Sequence, residues 1–161
     1  MMLSPAGVTQ EAANHVSPNV YSECADREIA RCHAVLASTL RATSPAEWAS
    51  ACVSLARAYR RRLHGNRAED IEQAIRLYED ALEVRARESM PAKWAMVTMN
   101  LANAYASRMR GDRARNIEHA LELYDRALEV RTRDVMPRLW ARTTWNKAVA
   151  YFRRVQGARA D

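Results

Sequence analysis

Residues 45–90 read PAEWASACVSLARAYRRRLHGNRAEDIEQAIRLYEDALEVRARESM, and residues 91–136 read PAKWAMVTMNLANAYASRMRGDRARNIEHALELYDRALEVRTRDVM. Both stretches are 46 residues long, and 24 of the 46 positions are identical. A third copy runs over residues 137–161 as PRLWARTTWNKAVAYFRRVQGARAD. Self-similarity at a fixed period predicts an array of structural repeats, each built from one supersecondary unit.

Each unit has the pattern of two amphipathic helices. In the second unit we predict a first helix over residues 92–109 and a second over residues 113–133, because apolar side chains recur there at three- and four-residue spacings. Gly111 favours the left-handed conformation that ends a helix. The side chain of Asp112 can cap the following helix, as can that of Asn66 in the first unit. The face shared by the first helix contains Trp94, Val97, Leu101, Tyr105 and Met109.

The pattern Leu101-Ala102-x-x-Tyr105, followed by Ala120-x-x-x-Tyr124-x-x-Ala127, resembles the tetratricopeptide repeat. The resemblance extends over roughly residues 24–157. It implies an all-α solenoid of antiparallel helix pairs, A and B, wound into a right-handed superhelix. At the positions of the leucine and the alanine the third copy has Lys147 and Ala148, so only the leucine is replaced. The first unit matches at Leu55, Ala56, Tyr59, Ala74, Tyr78 and Ala81.

The unit is longer than the usual repeat of about 34 residues. Its opening Pro-x-x-Trp-Ala and its Gly-Asp-Arg-Ala turn are similar to the long bacterial repeats that accompany caspase-like CHAT protease domains. This narrower resemblance implies an alternative function as a regulatory or inhibitory subunit of such a protease system. The broader one implies a non-enzymatic adaptor that binds a partner protein or peptide in the concave groove lined by the A helices.

The repeats also divide the chain. Residues 22–42 align with helix B of the later units, so we predict a degenerate helix B that covers the first full repeat. Residues 1–20 lack periodicity and are expected to form a flexible tail before a repeat domain over residues 21–161. The predicted helix order is therefore B, A–B, A–B, A, with a partial last repeat over residues 137–161.

No pattern in the chain predicts catalysis, a cofactor or a metal. His15, His33, His64 and His119 are scattered over different repeat positions. The group Cys24, Cys32 and His33 lacks the ligand spacing that zinc favours. Without a signal peptide or a long apolar run, we expect a cytoplasmic protein, not a membrane protein, with its cysteines reduced and buried.

The charge balance predicts an acidic partner. Residues 45–161 hold 22 basic and 15 acidic groups, and Lys93 and Lys147 are the only lysines in the chain. Arginine suits carboxylates because its planar guanidinium can donate two parallel hydrogen bonds. Nucleic acid is the less favoured ligand, since no reader motif accompanies the charge. The partner-binding residues predicted from the resemblance and from helical spacing are Arg57, Arg60, Arg61, Met99, Asn100, Asn103, Arg142, Trp145, Asn146, Phe152 and Arg153.

The last helix, expected over residues 138–155, has too many aromatic side chains for one buried face. Trp145 and Phe152 are seven residues apart, so they share a stripe. We predict that this stripe contacts a partner, either the bound protein or a second copy of the chain. The alternative is that Trp145 packs against Met99 and is buried.

Overall fold

The computed structural model describes residues 18–157, and the side chains of residues 24–156. This part of the chain is entirely helical and contains no strand, which confirms the all-α fold class. None of its helices is long and apolar enough to cross a membrane. The helices are α1 (Pro18–Ser38), α2 (Pro45–Arg61), α3 (Arg67–Val84), α4 (Pro91–Ala106), α5 (Arg113–Val130) and α6 (Pro137–Gly157).

The helix boundaries follow from local chemistry. Helices α2, α4 and α6 each begin at a proline, which lacks the N–H that a first turn would leave unpaired. The side chain of Asn66 accepts a hydrogen bond from the backbone of Glu69 at 3.2 Å and caps α3, and Asp112 caps α5 in the same way. Gly111 has φ of 75°, so the predicted left-handed residue before α5 is confirmed.

Each helix packs against the next one in sequence, and α4 also contacts α6. The core lies between the members of each pair, where small side chains let the helices approach closely. Tyr78 and Tyr124 are its most deeply buried aromatic side chains, exposed by only 0% and 1%. The fully buried alanines are Ala49, Ala56, Ala58, Ala74, Ala81, Ala95, Ala102, Ala104, Ala120 and Ala127.

Contacts between helices recur with the period of the sequence. An ion pair joins Asp26 of α1 to Arg62 just after α2 at 2.9 Å. The same pair recurs 46 residues later as Glu72–Arg108 at 2.8 Å, and again as Glu118–Arg154 at 3.1 Å. Because the three pairs have one register, α1 packs on α2 as α3 packs on α4 and α5 on α6.

The tryptophans at the start of the units lie in a second recurring contact. Arginine guanidinium groups lie over Trp48, Trp94 and Trp140, at 4.9, 5.3 and 5.8 Å from the ring centroids. The arginines are Arg41, Arg87 and Arg133, each seven residues before its tryptophan. Trp94 is buried and the other two are half-buried. They are therefore packing residues, held by cation–π contacts where one unit follows another.

Some sequence expectations need correction. Helix α4 ends at Ala106, so Met109, expected on its buried face, is instead 67% exposed. Tyr151 is 39% exposed although its equivalents Tyr59 and Tyr105 are half-buried. Cys24 is exposed rather than buried. Helix α1 ends at Ser38 rather than at residue 42, and its start at Pro18 overlaps the tail predicted over residues 1–20. Residues 1–17 lie outside the described part.

Candidate functional site

All the predicted partner-binding residues lie on α2, α4 and α6. We call the set of them the helix-A surface. Its most organised part surrounds Tyr124. The hydroxyl of Tyr124 donates a hydrogen bond to Oδ1 of Asn103 at 2.6 Å. Arg153 of α6 donates to the carbonyl of Ala106 at 3.0 Å. Asn103, the end of α4 and Arg153 are therefore brought together from separate repeats.

The electrostatics of Tyr124 place a further arginine at this point. Burial raises the pKa of Tyr124 to about 12, while the positive charges of Arg60 and Arg153 oppose that rise. Arg60 has the same effect on Tyr78, whose pKa is also raised by burial, and Arg57 and Arg61 add to it. Arg60 thus lies near both buried tyrosines, between the first and second repeats.

Hydrogen-bonding capacity is left unused around Arg60. Its Nε atom and the nearby hydroxyl of Tyr78 are both buried, and neither has a hydrogen bond of normal geometry to a described residue. A buried donor without an acceptor costs free energy.

Four of the five arginines predicted on the helix-A surface lack a carboxylate partner among the described residues. Arg57, Arg60, Arg142 and Arg153 form no ion pair with a described residue. Among the other described arginines, Arg67, Arg113, Arg115 and Arg138 likewise form no ion pair, whereas seven have an Asp or Glu within 4 Å, namely Arg41, Arg62, Arg76, Arg87, Arg108, Arg110 and Arg154. Arg61 is the exception among the predicted arginines, because it pairs with Glu28.

Two further arginines were not among the residues predicted from the sequence. Arg85 and Arg131 occupy equivalent positions after α3 and α5 and are exposed by only 4% and 1%. Arg85 donates to Oγ of Ser50 at 2.7 Å, and Arg131 donates to Oγ1 of Thr143 at 3.2 Å. Burial lowers the pKa of both, and among the described residues neither forms an ion pair with a carboxylate.

These buried arginines donate hydrogen bonds to side chains of two A helices. Ser50 and Thr143 belong to α2 and α6, and the charge of Arg142 acts on Arg131. Arginine stays protonated in proteins, so both positions carry positive charge. The only sequence signal was the identical Val-Arg at both positions, which does not separate Arg85 from the exposed Arg87.

The other predicted residues have varied surroundings. Met99 is 4% exposed, with its sulfur accepting from Arg131 at 3.2 Å, so it belongs to the core and offers a partner little surface. Asn146 is half-buried and its Nδ2 lies 3.9 Å from the same sulfur, and Asn100 is also half-buried. Trp145 is 69% exposed and Phe152 is 63% exposed. The alternative that Trp145 is buried on Met99 is therefore wrong.

The thiols of Cys32 and Cys52 are buried. Burial raises the pKa of the Cys52 thiol to about 11 and also raises that of Cys32, so both stay protonated at neutral pH. In the described residues, no three side chains of His, Cys, Asp or Glu come together as a metal site.

Comparisons with protein-family models, with curated proteins and with solved structures found no match.

Proposed function

We propose that the chain is a non-enzymatic adaptor of the tetratricopeptide-repeat type, a solenoid whose helix-A surface binds an acidic segment of a partner protein. The observation that carries this proposal is the set of arginines without carboxylates. Arg57, Arg60 and Arg153 belong to this surface. Arg85 and Arg131 are buried and donate to Ser50 of α2 and Thr143 of α6. Arg60 and Arg153 both act on Tyr124, so these unpaired charges lie close together and favour a ligand that supplies the carboxylates.

The polar groups between the arginines favour an extended peptide over a compact anion. Asn100 and Asn146 occupy equivalent positions on α4 and α6 and are half-buried. A side-chain amide has both a donor and an acceptor, which matches the alternation of N–H and C=O along a peptide.

A titration with a labelled peptide tests the proposal. The probe is a short fluorescein-labelled peptide rich in Asp and Glu, with its Asn and Gln counterpart as the uncharged control. Fluorescence anisotropy should show binding of the acidic peptide only, weakening as salt rises, because exposed charges are screened. Arg57→Glu/Arg153→Glu should weaken binding by about tenfold or more, since two favourable charge contacts become repulsive.

The matched control is Arg115→Glu/Arg126→Glu, which changes the net charge equally. Both arginines are exposed on α5, and neither is among the predicted partner-binding residues. This variant should lose only a small part of that affinity. Equal losses in the two double variants, with helicity retained by circular dichroism, would mean that the peptide follows net charge and has no site. Tight binding of duplex DNA with no binding of the acidic peptide would replace the proposal by nucleic-acid binding.

A further inference from the structure

Helix α6 exposes a face that the equivalent helices bury. Ala141, Trp145 and Ala148 lie along this face, and all three are exposed. The equivalent residues of α4 are Ala95, Met99 and Ala102, exposed by 0%, 4% and 0%. Those of α2 are Ala49, Val53 and Ala56, exposed by 0%, 4% and 0%. Phe152 and Val155 extend the apolar stripe on α6, at 63% and 46% exposure.

The structure also shows what covers this face in the earlier units. The face of α4 is covered by α5, its own helix B, and by α6, the next helix A. Met99 illustrates both contacts, since its sulfur lies 3.2 Å from Arg131 and 3.9 Å from Asn146. An occupant of the bare face of α6 must therefore present a helix B and a helix A in that order.

The described part of the chain begins with such a pair. Helix α1 packs on α2 as a helix B packs on the following helix A, because Asp26–Arg62 has the register of Glu72–Arg108. A second contact agrees, since the hydroxyl of Tyr59 lies 3.1 Å from His33 and that of Tyr105 lies 2.9 Å from the equivalent Glu79.

The outer side of the pair α1–α2 has an open groove where a preceding helix A would pack. Val35 of α1 is 43% exposed, while the equivalent Ala81 and Ala127, which face a helix A of their own unit, are each exposed by 0%. A groove of about 710 Å³ passes Val35, Thr39, Ser50 and Ser54. The bare face of α6 and this groove therefore correspond to the two surfaces that pack against each other where one unit follows another inside the molecule.

We propose that α6 of one copy docks head to tail into the α1–α2 groove of a second copy and continues the repeat across the junction. Inside the molecule, Met99 of one helix A lies against Asn146 of the next. At the proposed junction the equivalent residues are Trp145 of the first copy and Ser54 of the second copy, so these two should be in contact. The contact of Ala106 with Arg153 translates into Phe152 against Arg61 of the second copy. Trp145 thereby enters the groove, which Ser54 lines.

Charge complementarity supports the same register. Glu47 lines the groove and forms no ion pair with a described residue, and Arg138 at the start of α6 has none either. The one-period translation places Arg138 against Glu47 of the second copy. The carboxylate and guanidinium would then neutralise each other at the rim of a contact whose centre is Trp145.

The proposal does not need a peptide ligand, so it can fail or hold independently of the proposed function. Site-directed disulfides test it. In a Cys24→Ser background, Trp145→Cys protein is mixed with Ser54→Cys protein under mild oxidation, and the second pair is Phe152→Cys with Arg61→Cys. Each mixture should give a disulfide-linked heterodimer, whereas each variant alone should give little, because only the head-to-tail contact joins the two positions.

The control replaces Ser54→Cys by Val135→Cys, which is 72% exposed but outside the junction. It should cross-link with Trp145→Cys at the background level. Efficient homodimers of Trp145→Cys alone would mean a symmetric contact between two α6 helices and would overturn the proposal. Absence of mixed disulfides in both pairs, with native circular dichroism in all variants, would overturn it as well.

Discussion

Helices α4 and α6 have the same repeat position but different surroundings. Both begin at proline, both have a tryptophan at the fourth position, and both receive an ion pair from the preceding helix. Yet Met99 of α4 is 4% exposed and the equivalent Trp145 of α6 is 69% exposed. Within a repeat, then, burial depends on the neighbouring helices as much as on the residue itself.

The tyrosines should show the largest consequence of this difference. Tyr124→Ala removes a side chain that is 1% exposed and should lower the free energy of unfolding by about 3–5 kcal/mol, as for other buried aromatic residues. Tyr151→Ala on α6 should cost less than about 1 kcal/mol, because Tyr151 is exposed. Denaturant unfolding measures both, and equal costs would contradict the assigned burial.

The equivalent pair Met99 and Trp145 should separate almost as clearly. Met99→Ala leaves a cavity and should cost about 2–5 kcal/mol. Trp145→Ala, measured at dilution where copies do not associate, should change stability by less than about 0.5 kcal/mol. The larger side chain would then matter less than the smaller one. A cost for Trp145→Ala near that of Met99→Ala would place the α6 stripe inside the monomer.

The recurring ion pair gives a smaller contrast. The Glu72 side chain is 10% exposed and that of Glu118 is 52% exposed. Glu72→Gln should cost about 1.5–3 kcal/mol, since two charge-assisted hydrogen bonds to Arg108 are weakened. Glu118→Gln should cost about 0–1 kcal/mol. Thermal unfolding at neutral pH measures the difference, and the reverse order of costs would refute it.

The Glu72 pair also predicts a pH dependence. Hydrogen bonds from Arg108 lower the pKa of Glu72 below its ordinary value of 4.5, against the opposing effect of burial. This stabilisation is complete above that ordinary value and is lost as pH falls through the lower folded value. Glu72→Gln should therefore unfold with a shallower loss of stability below about pH 4.5. An unchanged acid limb would contradict the assigned shift.

The smallest effect concerns the buried arginines, and its direction is unusual. Arg131→Met keeps the volume and removes an unpaired buried charge, so it should raise stability by about 1 kcal/mol. Thr143 keeps a partner, because its hydroxyl donates to the carbonyl of Leu139 at 2.8 Å. The same variant should bind the acidic peptide more weakly. The control Arg115→Met changes an exposed arginine and should leave stability nearly unchanged; a loss of stability in Arg131→Met would refute the account.

The 46-residue period was sufficient to predict the helices, because local capping and proline placement determine where each begins. The candidates Arg57, Arg60 and Arg153 came instead from the family resemblance, which implies that the A helices line the binding groove. It did not distinguish Arg61, which pairs with Glu28 of another helix, from its neighbour Arg60. Nor did it find Arg85 and Arg131, because their burial arises from contacts with distant helices.

The bare face of α6 is the point on which the account depends most. Sedimentation equilibrium of the whole chain over a wide concentration range tests it most directly. Because a head-to-tail contact leaves both outer ends free, the average mass should rise above 18.3 kDa without a plateau at the dimer. Trp145→Ala/Phe152→Ala should abolish this rise, and Met109→Ala, an exposed apolar control, should not. A constant mass of 18.3 kDa, or a plateau at twice that value, would contradict the account.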